Sequence, residues 1–170
     1  IDSTTNDTLS SNVIASTAGY HTVRLIARGI TTADTATVSF LVNPVTQTAS
    51  LPAGSLDGVT YLNDSTVRFN LFAPQKQFVY VLGDFNNWQV DTGYLMQRTP
   101  DSSRYWLEIT GLTPGREYVY QYYVDATLKI ADPYAEKILD PSNDNGIGSA
   151  TYPNPTPYPT GLTTGVAAVL

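Results

Sequence analysis

Short strand-like stretches separated by turns are the feature that most restricts the fold of this chain. The most regular of them is Glu117–Asp125, in which Tyr118, Tyr120, Tyr122 and Val124 fall on one face. No segment has convincing helical periodicity. The pattern therefore predicts an all-β protein built as an immunoglobulin-like antiparallel β-sandwich. The other predicted strands are Tyr20–Ile26, Thr35–Val42, Thr66–Leu71, Gln77–Gly83 and Arg104–Thr110.

Proline- and glycine-rich stretches divide the chain into four parts. Residues 1–43 hold only two strands and resemble the last strands of an incomplete immunoglobulin-like domain, because a lone hairpin is marginal in water. Residues 44–57 have the composition of a linker, residues 58–142 hold the strands of the sandwich, and residues 143–170 form a Pro-rich connector. A homodimer that exchanges the strands of residues 1–43 is expected as one way to complete their sheet.

Composition excludes several classes of partner and site. The net charge is -6 and Lys and Arg do not cluster, so no nucleic-acid partner is expected. Cysteine is absent, and no apolar run approaches the roughly 18 to 20 residues of a membrane span. Only 14% of residues are charged, and the chain starts at Ile1 without Met or a signal segment. We interpret it as a processed piece of a protein that works extracellularly, in the periplasm or on the outer surface.

The sequence offers no catalytic group. Glycoside hydrolysis needs two carboxylates roughly 5 to 10 Å apart in a cleft, whereas the aspartates here, such as Asp84 and Asp125, occupy turn-like contexts. His21 is the single histidine, which leaves no base for a triad and no His-rich metal site. We therefore predict no catalytic residue, no metal and no cofactor.

A tryptophan follows the apolar strand 77–83 at the end of a polar turn, Gly83-Asp-Phe-Asn86-Asn87-Trp88. An indole in this position either folds back onto its own sandwich or forms a platform for a flat ligand such as a sugar ring. Asn86 and Asn87 can contact sugar hydroxyls, but an Asn pair is also what a tight turn prefers.

Five motifs in order carry a family resemblance over residues 58 to about 142. They are Val67-x-Phe69 with Ala73-Pro74, Val79-Tyr-Val-Leu-Gly-Asp-Phe-Asn-Asn-Trp88, Leu112-x-Pro114-Gly115, Tyr120-Gln-Tyr-Tyr-Val-Asp125 and Ala131-Asp-Pro-Tyr134. This order resembles carbohydrate-binding module family 48. That family comprises the N-terminal early-set modules of α-amylase-family branching and debranching enzymes, and the glycogen-binding domain of AMP-activated protein kinase.

The resemblance implies a non-catalytic N-terminal module of an α-amylase-like glycoside hydrolase of family 13. A catalytic barrel needs roughly 200 or more residues and does not fit in this chain. Its expected ligand is an α-glucan such as starch, glycogen or maltodextrin, bound weakly near the active site of the parent chain. The alternative is a structural module that docks on the barrel through Ile130, Tyr134 and the Pro-rich tail without binding sugar.

The family's sugar contacts can be transferred position by position. Trp88 matches the tryptophan that stacks on glucose, and Gln121 stands where glycogen-binding members have a basic residue. The second family tryptophan falls near Lys129, where no aromatic residue is present, and Tyr123 can serve as a replacement platform. The implied sugar-binding set is therefore Trp88, Asn86, Asn87, Gln121, Tyr123 and Lys129.

Overall fold

The computed structural model describes residues 10–170 and divides the chain into two units, Ile1–Pro44 and Val45–Leu170. The first unit is an antiparallel strand pair, β1 (Gly19–Arg28) and β2 (Ala33–Val42), in which Gly19 lies opposite Val42. Leu25 and Val38 are among its exposed apolar side chains. Residues 1–9 of the predicted incomplete domain lie outside the described residues. The strand-exchanged homodimer stays a prediction.

The second unit consists of two antiparallel sheets, in agreement with the all-β prediction. One sheet has the order β3-β4-β7-β6, and its strands are β3 (Gly58–Asn63), β4 (Thr66–Phe72), β6 (Gln97–Arg98) and β7 (Arg104–Ile109). The other has the order β10-β11-β8-β5, with β9 also paired to β8. Its strands are β5 (Val79–Gly83), β8 (Val119–Val124), β9 (Leu128–Ile130), β10 (Lys137–Leu139) and β11 (Ala167–Val169). Short 3₁₀ turns span Asp84–Asn86, Thr92–Tyr94 and Asp144–Gly146.

The core lies between the facing surfaces of these two sheets. Alternation along the strands places every second side chain in it, as the sequence pattern predicts. Phe69 of β4 meets Tyr120 of β8 edge to face, with ring centroids 4.9 Å apart. Other buried members are Val67, Leu71, Val79, Val81, Tyr105, Leu107, Ile109, Tyr122 and Val124.

The segments on either side of the sandwich are part of it. Within the predicted linker 44–57, Ala49 accepts a hydrogen bond from the Trp106 indole at 3.1 Å, and Leu56 accepts one from Asn70 at 3.0 Å. Within the predicted connector 143–170, β11 enters the second sheet between β8 and β10. The sequence pattern does not reveal these contacts, because β11 has only three residues and the linker joins through side-chain bonds and one isolated backbone bridge, Thr48 to Arg98, rather than a regular strand.

A buried carboxylate fixes the two core tyrosines of β8. Asp132 Oδ2 accepts hydrogen bonds from the hydroxyls of Tyr120 at 2.9 Å and Tyr122 at 3.0 Å, and Oδ1 accepts one from the Tyr134 backbone N–H at 2.8 Å. Burial, followed by the Asp132 charge, raises the pKa of both tyrosines well above the ordinary range, so they stay protonated as donors.

We expect Asp132→Ala to lower the free energy of unfolding by about 2 to 5 kcal/mol, because two buried hydroxyls lose their acceptor. Urea denaturation measures this loss, and Glu136→Ala, at an exposed carboxylate, should change stability by less than about 0.5 kcal/mol. Tyr122→Phe should cost less in the Asp132→Ala background than alone. Equal costs in both backgrounds would show that the two groups are not coupled.

Candidate sugar-binding face

The turn after β5 is held by its own side chains. Asn86 Oδ1 accepts from the Gly83 N–H at 2.9 Å, and Asn86 Nδ2 donates to the Val81 carbonyl at 2.9 Å. Asn87 is exposed and has a left-handed backbone with φ 53°, a conformation that Asn tolerates well. The oxygen and the nitrogen of the Asn86 side-chain amide therefore both stabilise the turn, and the Asn87 side chain is exposed to solvent.

Trp88 folds back onto the module, which is one of the two arrangements considered from the sequence. Its side chain is only 5% exposed, and its indole N–H donates to Asp84 Oδ1 at 3.0 Å. The other oxygen of Asp84 accepts from the Val119 N–H at 2.9 Å. Asp84 thus connects the indole to the first residue of β8. The sequence does not reveal this role, because an Asp in a turn is expected for backbone reasons alone.

The remaining candidates share the outer face of the second sheet. Gln121 pairs with Leu82 of β5, and Tyr123 pairs with Tyr80 on one side and with Lys129 of β9 on the other. Residues opposite each other in a ladder point to the same side, so Gln121, Tyr123 and Lys129 lie on one face, as predicted for the first two. The Tyr123 hydroxyl donates to the Ala126 carbonyl at 2.6 Å.

Gln121 is fully buried beneath the chain's own C-terminal part. Its amide nitrogen, Nε2, donates to the carbonyls of Thr164 at 3.0 Å and Val166 at 2.6 Å, and its amide oxygen, Oε1, accepts from the Thr163 hydroxyl. We call residues 158–166 the covering segment. It takes up the hydrogen-bonding capacity that the family resemblance assigns to a sugar.

Gly83 is required where β5 turns into the Trp88 loop. A Cβ at this position would lie 2.6 Å from the Val119 carbonyl oxygen and 2.9 Å from the Phe85 ring. The close approach of two backbones leaves no room for a side chain, so the turn depends on this glycine.

We predict that Gly83→Ala destabilises the module by roughly 1 to 3 kcal/mol, because the backbones of β5 and β8 must separate. Gly146→Ala is the matched control, since nothing lies within 4 Å of its Cβ position. Chemical denaturation of both variants tests the difference. Equal stabilities would mean that the β5 turn accommodates the methyl group.

Comparison with known proteins agrees with the β-sandwich fold and adds the class of protein, a carbohydrate-binding module. Residues 58–135 match carbohydrate-binding module 48, the isoamylase N-terminal domain. This match confirms the family resemblance that the motif order predicts for this part of the chain.

The relatives are long enzymes of which this chain covers a small part. A 1,4-α-glucan branching enzyme GlgB of Clostridium perfringens is 35% identical over 74 residues, which are 42% of this chain and 11% of the enzyme. GlgB 1 of C. perfringens strain 13 is 34% identical over 73 residues, 40% of this chain and 10% of the enzyme. A solved Salmonella typhimurium protein described as an α-amylase is 25% identical and covers 46% of this chain and 12% of its own, with a TM-score of 0.38.

The predicted location outside the cytoplasm is wrong. The relatives that the chain matches are 1,4-α-glucan branching enzymes GlgB, and this finding overturns the prediction. The low fraction of charged residues was the basis of that prediction, and such a composition does not by itself indicate export. Within residues 10–170, no helix has the length and apolar character to cross a bilayer.

Proposed function

We propose that this chain is the non-catalytic front end of an enzyme that acts on α-glucans, and that the outer face of β5 and β8 anchors the chain that follows the sandwich. The enzyme class is supported by the branching-enzyme relatives. The anchoring role is supported by one observation above all, the three hydrogen bonds between buried Gln121 and the covering segment.

Two further contacts support the anchoring role. Lys137 of β10 binds both oxygens of Glu117 at 2.8 Å and the Tyr152 hydroxyl at 2.7 Å, and Thr156 also bonds to Glu117. These contacts attach the Pro-rich stretch to the sheet. The Tyr158 hydroxyl then donates to the Gly165 carbonyl at 2.7 Å, which joins the two ends of the covering segment. A segment attached at both ends leaves the module in a fixed direction, which is what positioning a catalytic domain requires.

Gln121→Leu tests the anchoring role. It removes the donors to two carbonyls while preserving much of the side-chain volume, so amide hydrogen exchange within residues 158–166 should accelerate about tenfold or more. Gln89→Leu, at an exposed glutamine, is the matched control. Unchanged exchange in the Gln121 variant would contradict the role.

Weak α-glucan binding at Trp88 is the second candidate function, favoured by the family match. It requires the Trp88 indole to become exposed, because the indole is buried in the described arrangement.

We expect a dissociation constant for maltoheptaose on the order of 0.1 to 1 mM, or roughly 4 to 5.5 kcal/mol, if this face binds sugar. Calorimetry and tryptophan fluorescence measure it. Trp88→Phe should weaken binding, whereas Trp106→Phe, at a buried tryptophan of the other sheet, should not. The absence of a binding signal in both methods at several millimolar sugar would contradict this function.

A further inference from the structure

An exposed aromatic cluster lies in the other sheet, where β4 ends and β7 begins. Phe72, the last residue of β4, is 50% exposed, and the Arg104 guanidinium carbon lies 5.1 Å from the centre of its ring. Tyr134 is 55% exposed. Between these two rings stands the ion pair of Arg104 and Asp57.

The ion pair is fixed in a two-point geometry. Arg104 Nε donates to Asp57 Oδ1 at 2.9 Å and Nη2 donates to Oδ2 at 3.2 Å, while Asn70 Nδ2 also donates to Oδ1 at 2.8 Å. The Arg104 hydrogen bond is the main cause that lowers the pKa of Asp57, and the Tyr134 hydroxyl contributes to the same lowering. Asp57 therefore contacts both sides of the cluster and remains charged at neutral pH.

Tyr134 is held against the module by a close backbone approach. Gly58 has φ 91°, and a Cβ there would lie 2.6 Å from Tyr134 Cβ. The Tyr134 backbone N–H is bonded to Asp132 at 2.8 Å. The backbone of Tyr134 is therefore fixed before any ligand arrives, which lowers the conformational entropy lost on binding.

The chemistry of this cluster fits a neutral sugar. Aromatic faces stack on the C–H surfaces of a sugar ring, and a guanidinium beside a carboxylate supplies donors and acceptors for neighbouring hydroxyls. Two of the five Arg104 N–H groups serve the bonds to Asp57, so three others face elsewhere. The side chains of Arg104 and Asp57 are 34% and 25% exposed, which suits a ligand rich in hydroxyls better than an apolar protein surface.

We propose that Phe72, Tyr134 and the Arg104–Asp57 pair form an α-glucan-binding platform, separate from the Trp88 face. The proposal uses the carbohydrate-binding class of residues 58–135 and does not depend on the anchoring role of Gln121. It places the sugar on exposed aromatic rings, whereas the Trp88 indole is buried.

Titration of the 170-residue chain with maltoheptaose, followed by calorimetry and by amide NMR shifts, tests this platform. We expect a dissociation constant on the order of 0.1 to 1 mM with shift changes around residues 57, 72, 104 and 134. Phe72→Ala and Tyr134→Ala should each weaken binding about tenfold. Phe72→Tyr should preserve binding, because it keeps the ring. Tyr61→Ala, at an exposed tyrosine of β3, should have no effect.

Thermal unfolding of each variant shows whether the fold is kept, and Arg104→Lys gives a second test that leaves both rings in place. This variant should lose part of the affinity, because lysine keeps the charge but not the two-point geometry. Absence of binding at several millimolar sugar would overturn the platform. Binding that is lost in Trp88→Phe but retained in Phe72→Ala and Tyr134→Ala would also overturn it, and would support the Trp88 face instead.

Discussion

Strand β8 is buried on both faces, and the rest of the second unit is arranged around this constraint. Its inward residues Tyr120 and Tyr122 bury their hydroxyls, which therefore need an acceptor, and Asp132 supplies it. Its outward residue Gln121 buries a primary amide, which needs partners on the opposite side, and the covering segment supplies them. The polar side chains of this one strand thus fix Asp132 on the core side of the sheet and the covering segment on its outer side.

Flanking segments of the chain cover part of the outer face of each sheet. On the first sheet, Arg68 donates to Ser55 at 2.9 Å and Trp106 donates to Ala49 at 3.1 Å, so the segment before β3 covers that face. On the second sheet the covering segment does the same over Gln121. The polar outward residues of a sandwich are usually left to water, and here they bind neighbouring backbone instead. The surfaces that these segments leave exposed, such as the one formed by Phe72 and Tyr134, are therefore where a ligand can bind without displacing them.

The turn residues that help to identify the family are mostly not exposed to a ligand in this structure. The turn that carries Trp88 is built from the residues of the family motif, yet Gly83, Asp84 and Asn86 of that motif bind the backbone and the indole rather than facing solvent. These motif residues therefore stabilise the turn itself. The family therefore defines the fold and class of this module, while the position of a sugar depends on which surfaces the flanking chain leaves uncovered.

The sequence by itself determined the two-sheet architecture, the inward tyrosines of β8 and the family, because these follow from period-two alternation and from turn residues that act locally. It also placed Gln121 and Tyr123 on one face. Only the tertiary structure decided that Gln121 is buried, that Asp132 is the acceptor for two tyrosines, and that residues 44–57 and 143–170 join the sandwich. Those contacts join residues up to 57 positions apart, such as Ala49 and Trp106, and no local pattern encodes such a partner.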